Sequence, residues 1–250
     1  MSTEDSDATF QQLTDEETTE STLIEGLPGH GLVASIAVDQ ITEQLGLRHF
    51  GNVQSDAFPP VTTFADGRVR DLVRVYAGTD PDVMTLQSDL PLPPESFDPL
   101  ANSILSDLSE HFEEAIFLAG VPAESKRNHG SVVGVATSDE MEDRLREADI
   151  ALADGNGLIG GITGALVNEC YRADLPAAVL IVRSNPYLPD PGAARAVIEN
   201  ALEPLVEFDI DTTELEEQAD EIQRKKSQIA QQLKQQQEQQ QQPQSPSMYQ

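Results

Sequence analysis

Cysteine occurs once in this 250-residue chain, tryptophan not at all, and lysine only four times. A single cysteine, Cys170, closes no internal disulfide, and no oxidising compartment is implied. It falls in an apolar-periodic segment and reads as a small buried hydrophobe. The four histidines, His30, His49, His111 and His129, show no H-x-x-x-H or H-E-x-x-H spacing, and no cysteine pair completes a zinc site. A G-x-S-x-G elbow is also missing. No run approaches the roughly 18 apolar residues that span a bilayer. The first 20 residues have neither the basic start nor the apolar stretch of a signal peptide. Together these absences give the expectation of a soluble cytoplasmic protein without metal or cofactor.

Positive charge is equally scarce. Fifteen Lys and Arg stand against 44 Asp and Glu, for a formal net charge of −29 and a pI near 4.1. Binding to nucleic acid needs a basic stripe, and an anionic membrane surface needs basic clusters, so neither partner is expected. Three of the four lysines (Lys225, Lys226 and Lys234) lie towards the C-terminus, leaving Lys126 alone in the rest of the chain. Such a surplus of carboxylates reads as a halophile-like surface, whose self-repulsion concentrated salt screens.

What the chain does have falls into zones. Residues 1–20, rich in Thr, Ser, Asp and Glu, read as a disordered acidic leader. Residues 21–209 alternate between short apolar runs and helix-period segments and read as one α/β domain. Residues 210–236 read as a helix or short coiled coil, and 237–250 as a flexible tail. Within the domain, strands are expected at 22–25, 71–76, 83–87, 115–119, 132–136, 150–153 and 177–182. Helices are expected from Val33 to Gly46, from the Pro-rich 90–94 loop to about Phe112, and at 139–147, 158–172 and 192–205. Several strands are short Ala/Val/Ile/Leu runs, the mark of burial on both faces. Strand–helix alternation of this kind predicts a three-layer α/β/α domain with a mostly parallel sheet.

Two glycine-rich turns stand where phosphate could be cradled. Gly26-x-x-Gly29-x-Gly31 joins a strand to a helix N-terminus, but has neither the dinucleotide spacing nor a following Lys-Ser/Thr. It reads as a tight turn with close backbone packing. Gly155-Asn-Gly157-Leu-Ile-Gly160 is a literal G-x-G-x-x-G. The acidic residue that should end the next strand is replaced by Arg183, which leaves an NADP-type nucleotide enzyme as the alternative function. Gly161 and Gly164 continue the small-residue pattern, which suits close helix packing as well. The polar loop 124–130 at a strand end is a further catalytic candidate, but no nucleophile is paired with a base, and no catalytic residue is assigned.

The C-terminal zone carries a device of its own. Leu215, Ala219, Ile222, Lys226, Ile229 and Leu233 follow spacings of four, three, four, three and four, a heptad seam with one polar position. Three heptads suit either a self-associating coil, making a homo-oligomer, or a helix packed back on its own domain. The chain ends Met248-Tyr249-Gln250: a hydrophobic residue, tyrosine and any residue before the carboxylate. These have no core to join, and terminal capture in a partner's pocket explains them. The 16 residues from Gln235 would reach about 20–24 Å from the helix end.

Four segments, in this order and spacing, resemble the proteasome assembly chaperone 2 family in its archaeal form. They are Leu23-Ile-Glu-Gly-Leu-Pro-Gly-His-Gly-Leu-Val33, Phe58-Pro-Pro60, Gly155-Asn-Gly-Leu-Ile-Gly-Gly161 with its helix, and Pro186-Tyr-Leu-Pro-Asp-Pro191 with the helix at 193–202. The resemblance implies a Rossmann-like α/β/α domain without established catalysis. It also implies a homo-oligomeric chaperone that interacts with the proteasome. Met248-Tyr249-Gln250 is similar to the hydrophobic-Tyr-X tail by which proteasome partners dock between α-subunits of the core particle. On that resemblance the chain is a non-enzymatic proteasome-binding protein.

Overall fold

The structure, a computed structural model, describes residues 7–14, 18 and 20–240. Its elements in chain order begin with β1 (Ala8–Gln12), β2 (Ser21–Gly26), α1 (Val33–Gln44), β3 (Arg48–Ser55), β4 (Thr63–Ala65) and β5 (Arg68–Arg70). Next come β6 (Val73–Thr79), β7 (Asp82–Ser88), α2 (Phe97–Ser103), β8 (Phe112–Pro122), β9 (Val132–Ala136) and α3 (Asp139–Glu147). The chain continues with α4 (Gly161–Arg172), β10 (Ala177–Ser184), α5 (Pro191–Val197), α6 (Glu203–Val206) and α7 (Thr213–Gln240). Eight strands form one sheet in the order β1-β3-β6-β7-β2-β8-β10-β9, and β4 and β5 form a separate ribbon. The pairs β7–β2, β2–β8 and β8–β10 are parallel. The pairs on either side are antiparallel, so the parallel sheet of the sequence reading occupies the centre and the margins run the other way.

The centre is parallel because its strands are apolar on both faces and must be covered on both. All six residues of β2 are buried. On one face, α1, α3, α5 and the start of α7 close over Ile24, Ile116, Leu118, Ala178 and Leu180. On the other, α2 and α4 close over Leu23, Phe117 and Val179. The spacing that forms α1 is also what seats it: Val33, Ala34, Ala37, Val38 and Ile41 share the buried side. It ends at Gly46, whose φ of +61° a side-chain-bearing residue disfavours. In α3 the Ser138 hydroxyl accepts from the Met141 N–H, acidic residues fill the first turn and Arg144 and Arg146 the last. Cys170 is buried in α4, and burial pushes its thiol up to about 12.

Three expectations are corrected. Residues 8–12, placed in the disordered leader, form β1 along the outer edge of β3. Phe10 holds it there, stacked 5.9 Å from Phe50 and lying over Gly51, where a Cβ would come within 2.3 Å of its ring. The sequence reading also passed over β3, because Arg48, His49, Asn52 and Gln54 break its hydrophobic pattern. Residues 150–153 do not extend as a strand: they touch β9 through a single bridge, Gly134 to Leu152.

Candidate functional site at the ends of the parallel strands

Parallel α/β sheets place ligands in the crevice beyond the carboxyl ends of their strands, where neighbouring connections diverge. Here that place lies between β2 and β8, and the chain's own backbone fills it. After β2 the turn runs through the 3₁₀ segment His30–Leu32 into α1. A Cβ on Gly26 would stand 2.6 Å from Val38 Cβ, and one on Gly120 of β8 would stand 2.2 Å from the His30 carbonyl oxygen. Gly31 has φ +66° and Leu32, without glycine's freedom, φ +50°. The first glycine turn is thus a packing device, as its composition suggested.

Beneath the turn lies a carboxyl group that the sequence reading treated as part of a strand. Glu25 is fully buried. Its oxygens accept from the Leu27 N–H at 3.0 Å and the Leu118 N–H at 3.4 Å, and from the Thr163 hydroxyl of α4. Loss of water outweighs these bonds and raises its pKa from 4.5 to about 8. Its signal in the sequence was an acid closing an apolar strand just before glycine.

A second carboxylate organises the loop after β10. Asp190 Oδ2 accepts from the Asn185 N–H at 2.6 Å and pairs with His129 Nε2 at 2.7 Å. Its Oδ1 accepts from the Ala193 N–H at 3.1 Å, and its own N–H donates to the Gly31 carbonyl at 2.8 Å. The 124–130 loop, the β10–α5 loop and the first glycine turn are thereby tied together. Between the first two and α7 lies a cavity of about 590 Å³.

The second glycine motif does not make a dinucleotide crevice. The segment before it joins only the outer edge of β9, not the parallel centre. Gly155, Gly157, Gly160 and Gly161 each have open space where a Cβ would stand, and Leu158 is fully exposed. Arg183, the proposed phosphate partner, lies in β10 with β9 between it and that edge, and donates to the Pro122 carbonyl at 3.3 Å. The strand–turn–helix that would aim backbone N–H groups at a pyrophosphate is not formed, and the nucleotide-enzyme alternative loses its geometric basis. Among the described residues no group of three or more His, Cys, Asp or Glu could hold a metal ion. No described helix is long and apolar enough to cross a membrane.

The heptad seam of α7 turns inward where it begins. Leu215 is 2% exposed and belongs to the core that α1 and α5 share. Ala219 stands 3.6 Å from where a Cβ of Gly192 would be, and Ile222 and Lys226 border the cavity. The first half of the seam therefore packs on its own domain. The backbone of α7 continues to Gln240, while the side chains of Ile229 and Leu233 and the whole of Met248, Tyr249 and Gln250 lie outside the described residues.

The fold and site define a three-layer α/β protein with closed strand ends and a long last helix seated on the domain at its beginning. The chain belongs to the PAC2 family, whose pattern its residues 23–230 match. It is similar to PbaA of Pyrococcus furiosus, described as an archaeal homolog of proteasome-assembly chaperone. The two are 26% identical with a TM-score of 0.79, over 92% of this chain and 95% of that one. It shares its fold with P. furiosus PbaB, described as an archaeal proteasome activator, at 21% identity and a TM-score of 0.80 over 90% and 99% of the two chains. Uncharacterized protein MJ0106 of Methanocaldococcus jannaschii is 29% identical over 211 residues, 84% of this chain and 85% of that one.

Proposed function

We propose that this chain is a non-enzymatic, cytoplasmic proteasome-binding chaperone or adaptor that acts as a homo-oligomer. The observation that carries the reading is its likeness to PbaA over nearly the full length of both chains. Met248 and Tyr249 enter apolar pockets between α-subunits of the core particle, and the Gln250 carboxylate meets a cation there. Helix α7 supports this, since it begins anchored in the core at Leu215 and its 28 residues extend about 42 Å. Its outer part, with Ile229 and Leu233, is where copies of the chain associate. Exposed Leu158, Tyr171 and Tyr187 offer further apolar surface for assembly. Several weak tails on one oligomer gain avidity when their spacing lets them engage together. The acidic surface keeps the assembly hydrated in concentrated salt.

The test is native mass spectrometry of the chain with proteasome α-subunits, comparing the full sequence with a form lacking residues 248–250. Association is expected to disappear with the three residues. Undiminished association of the shortened form would overturn the docking mechanism.

A further inference from the structure

Among the described residues ten large hydrophobic side chains are exposed. Seven of them lie on the connections that follow β2, β3, β7 and β10. Strand β3 is antiparallel to β6 and β6 to β7, so β3 runs in the direction of β7, which is parallel to β2. Strand β10 is parallel to β8, and β8 to β2. All four connections therefore leave the sheet at the same end.

Two shapes stand side by side there. The first is a wedge, the β4–β5 ribbon, which is separate from the main sheet. Phe64 and Val69 lie opposite each other on it, 74% and 76% exposed, and Val61 is exposed at its base. Alternation along the strands puts Arg68 and Arg70 on the other face. The turn Asp66-Gly67 has positive φ at both positions, the geometry of a tight two-residue hairpin. A ribbon of two short strands gains little stability by itself, so a Phe and a Val on its outer face signal a covering surface. Arg70 fastens the ribbon through Asp89, at 2.6 Å, to the connection after β7. That connection supplies Pro91 to the second shape, a depression of about 490 Å³ bordered by Leu32, Tyr187 and Leu188. Tyr187 is 90% exposed. No Asp, Glu, Lys or Arg lines the depression, in a chain with 44 acidic residues, and four prolines stiffen its walls.

We propose that this end of the sheet is an interface with a second copy of the chain, the ribbon of each copy seated in the depression of the other. Wedge and depression share one end, so a two-fold axis between two copies makes both contacts at once. The seven side chains expose roughly 600 Å² together, and with the prolines around them they approach the ~800 Å² that each partner buries in a standard interface. The ribbon alone offers only about half of that. Charge selects the partner. The Phe64–Val69 pair and the lining of the depression are uncharged, so two chains of net charge −29 meet there with least repulsion. This contact is separate from the coil proposed for α7.

Sedimentation velocity of the full chain in about 1 M potassium chloride, which screens charge beyond about 3 Å, tests the interface. Phe64→Arg and Tyr187→Asp are each expected to halve the number of chains per assembly. Mixing the two variants is expected to restore association, because the introduced arginine of one copy meets the introduced aspartate of the other while the second contact keeps its native pair. Both positions are exposed, and an unchanged unfolding temperature verifies the fold of each variant. Val69→Arg repeats the ribbon test at a second exposed position. Ile229→Asp, aimed at the coil proposed for α7, is expected to leave this contact in place, so the two interfaces fail separately. A parent that sediments as a single chain, variants that keep the parent's size, or a mixture of Phe64→Arg and Tyr187→Asp that stays apart would each overturn the proposal. Variants that self-associate as the parent does but no longer bind proteasome α-subunits would assign this face to that partner and overturn it too.

Discussion

The carbonyl oxygen of His30 rests against Gly120 so closely that a Cβ on the glycine would stand 2.2 Å from it. A turn from one end of the chain's central strand pair thus closes the place where a doubly wound sheet ordinarily admits a ligand. The neighbouring atom is backbone, so a side chain at position 120 displaces the whole turn. Gly120→Ala is expected to destabilise the protein by about 1–3 kcal/mol, the usual cost of overpacking. Gly157→Ala, in open space, is expected to stay within about 0.5 kcal/mol of the parent. Guanidinium unfolding of the two variants measures the contrast.

Glu25 gives the protein a pH dependence opposite to that of paired surface carboxylates. Burial lifts it from 4.5 to about 8, so the folded chain keeps a proton that the unfolded chain has lost. Its contribution to stability is fully present below pH 4.5 and is lost as pH rises through about 8. Within that window the slope from this group is about 1.4 kcal/mol per pH unit. Asp39, also raised by burial, acts in the same direction, so the comparison is between variants. Glu25→Gln is expected to lose most of the slope, and its stability relative to the parent should rise from pH 5 to about pH 8. Denaturant midpoints taken across that range test it; parallel curves for the two proteins would contradict the assignment.

Leu215 is where α7 is fastened. Its side chain joins the core that includes Ile198, Leu202 and Ile210, and Leu215→Ala is expected to cost about 2–4 kcal/mol. Ile222 is only half-buried at the cavity border, and Ile222→Ala is expected to cost less than about 1 kcal/mol. Chemical denaturation gives both values, and amide exchange shows whether α7 loses protection in the first variant. Equal effects at the two positions would mean that the seam acts uniformly rather than through its first residue.

These residues also show where sequence reading stops. Helix α1 is legible from its apolar spacing and the closing Gly46, and α3 from its Ser138 cap and terminal charges. The same holds for β9, whose apolar run coincides with its expected span. The antiparallel margin at β1 and β3 is another matter: the two strands pair with each other through Phe10 and Gly51, residues about 40 positions apart that carry no period of their own. The G-x-G-x-x-G spelling was equally visible at Gly155, but its meaning depended on which strand preceded it. Glu25 was visible as an acid and invisible as a buried one.

By itself the sequence determined the class of the protein. Strand–helix alternation, apolar central strands and a polar helix after the domain follow from composition and spacing, because burial and helix propensity act over a few residues. Tertiary structure alone decided how those pieces are used. It brought His30 onto Gly120, took water away from Glu25, turned Leu215 into the core, and tied the ribbon of Phe64 and Val69 to the turn after β7. Contacts between distant segments depend on how layers pack, and no local pattern encodes the neighbour a side chain will meet.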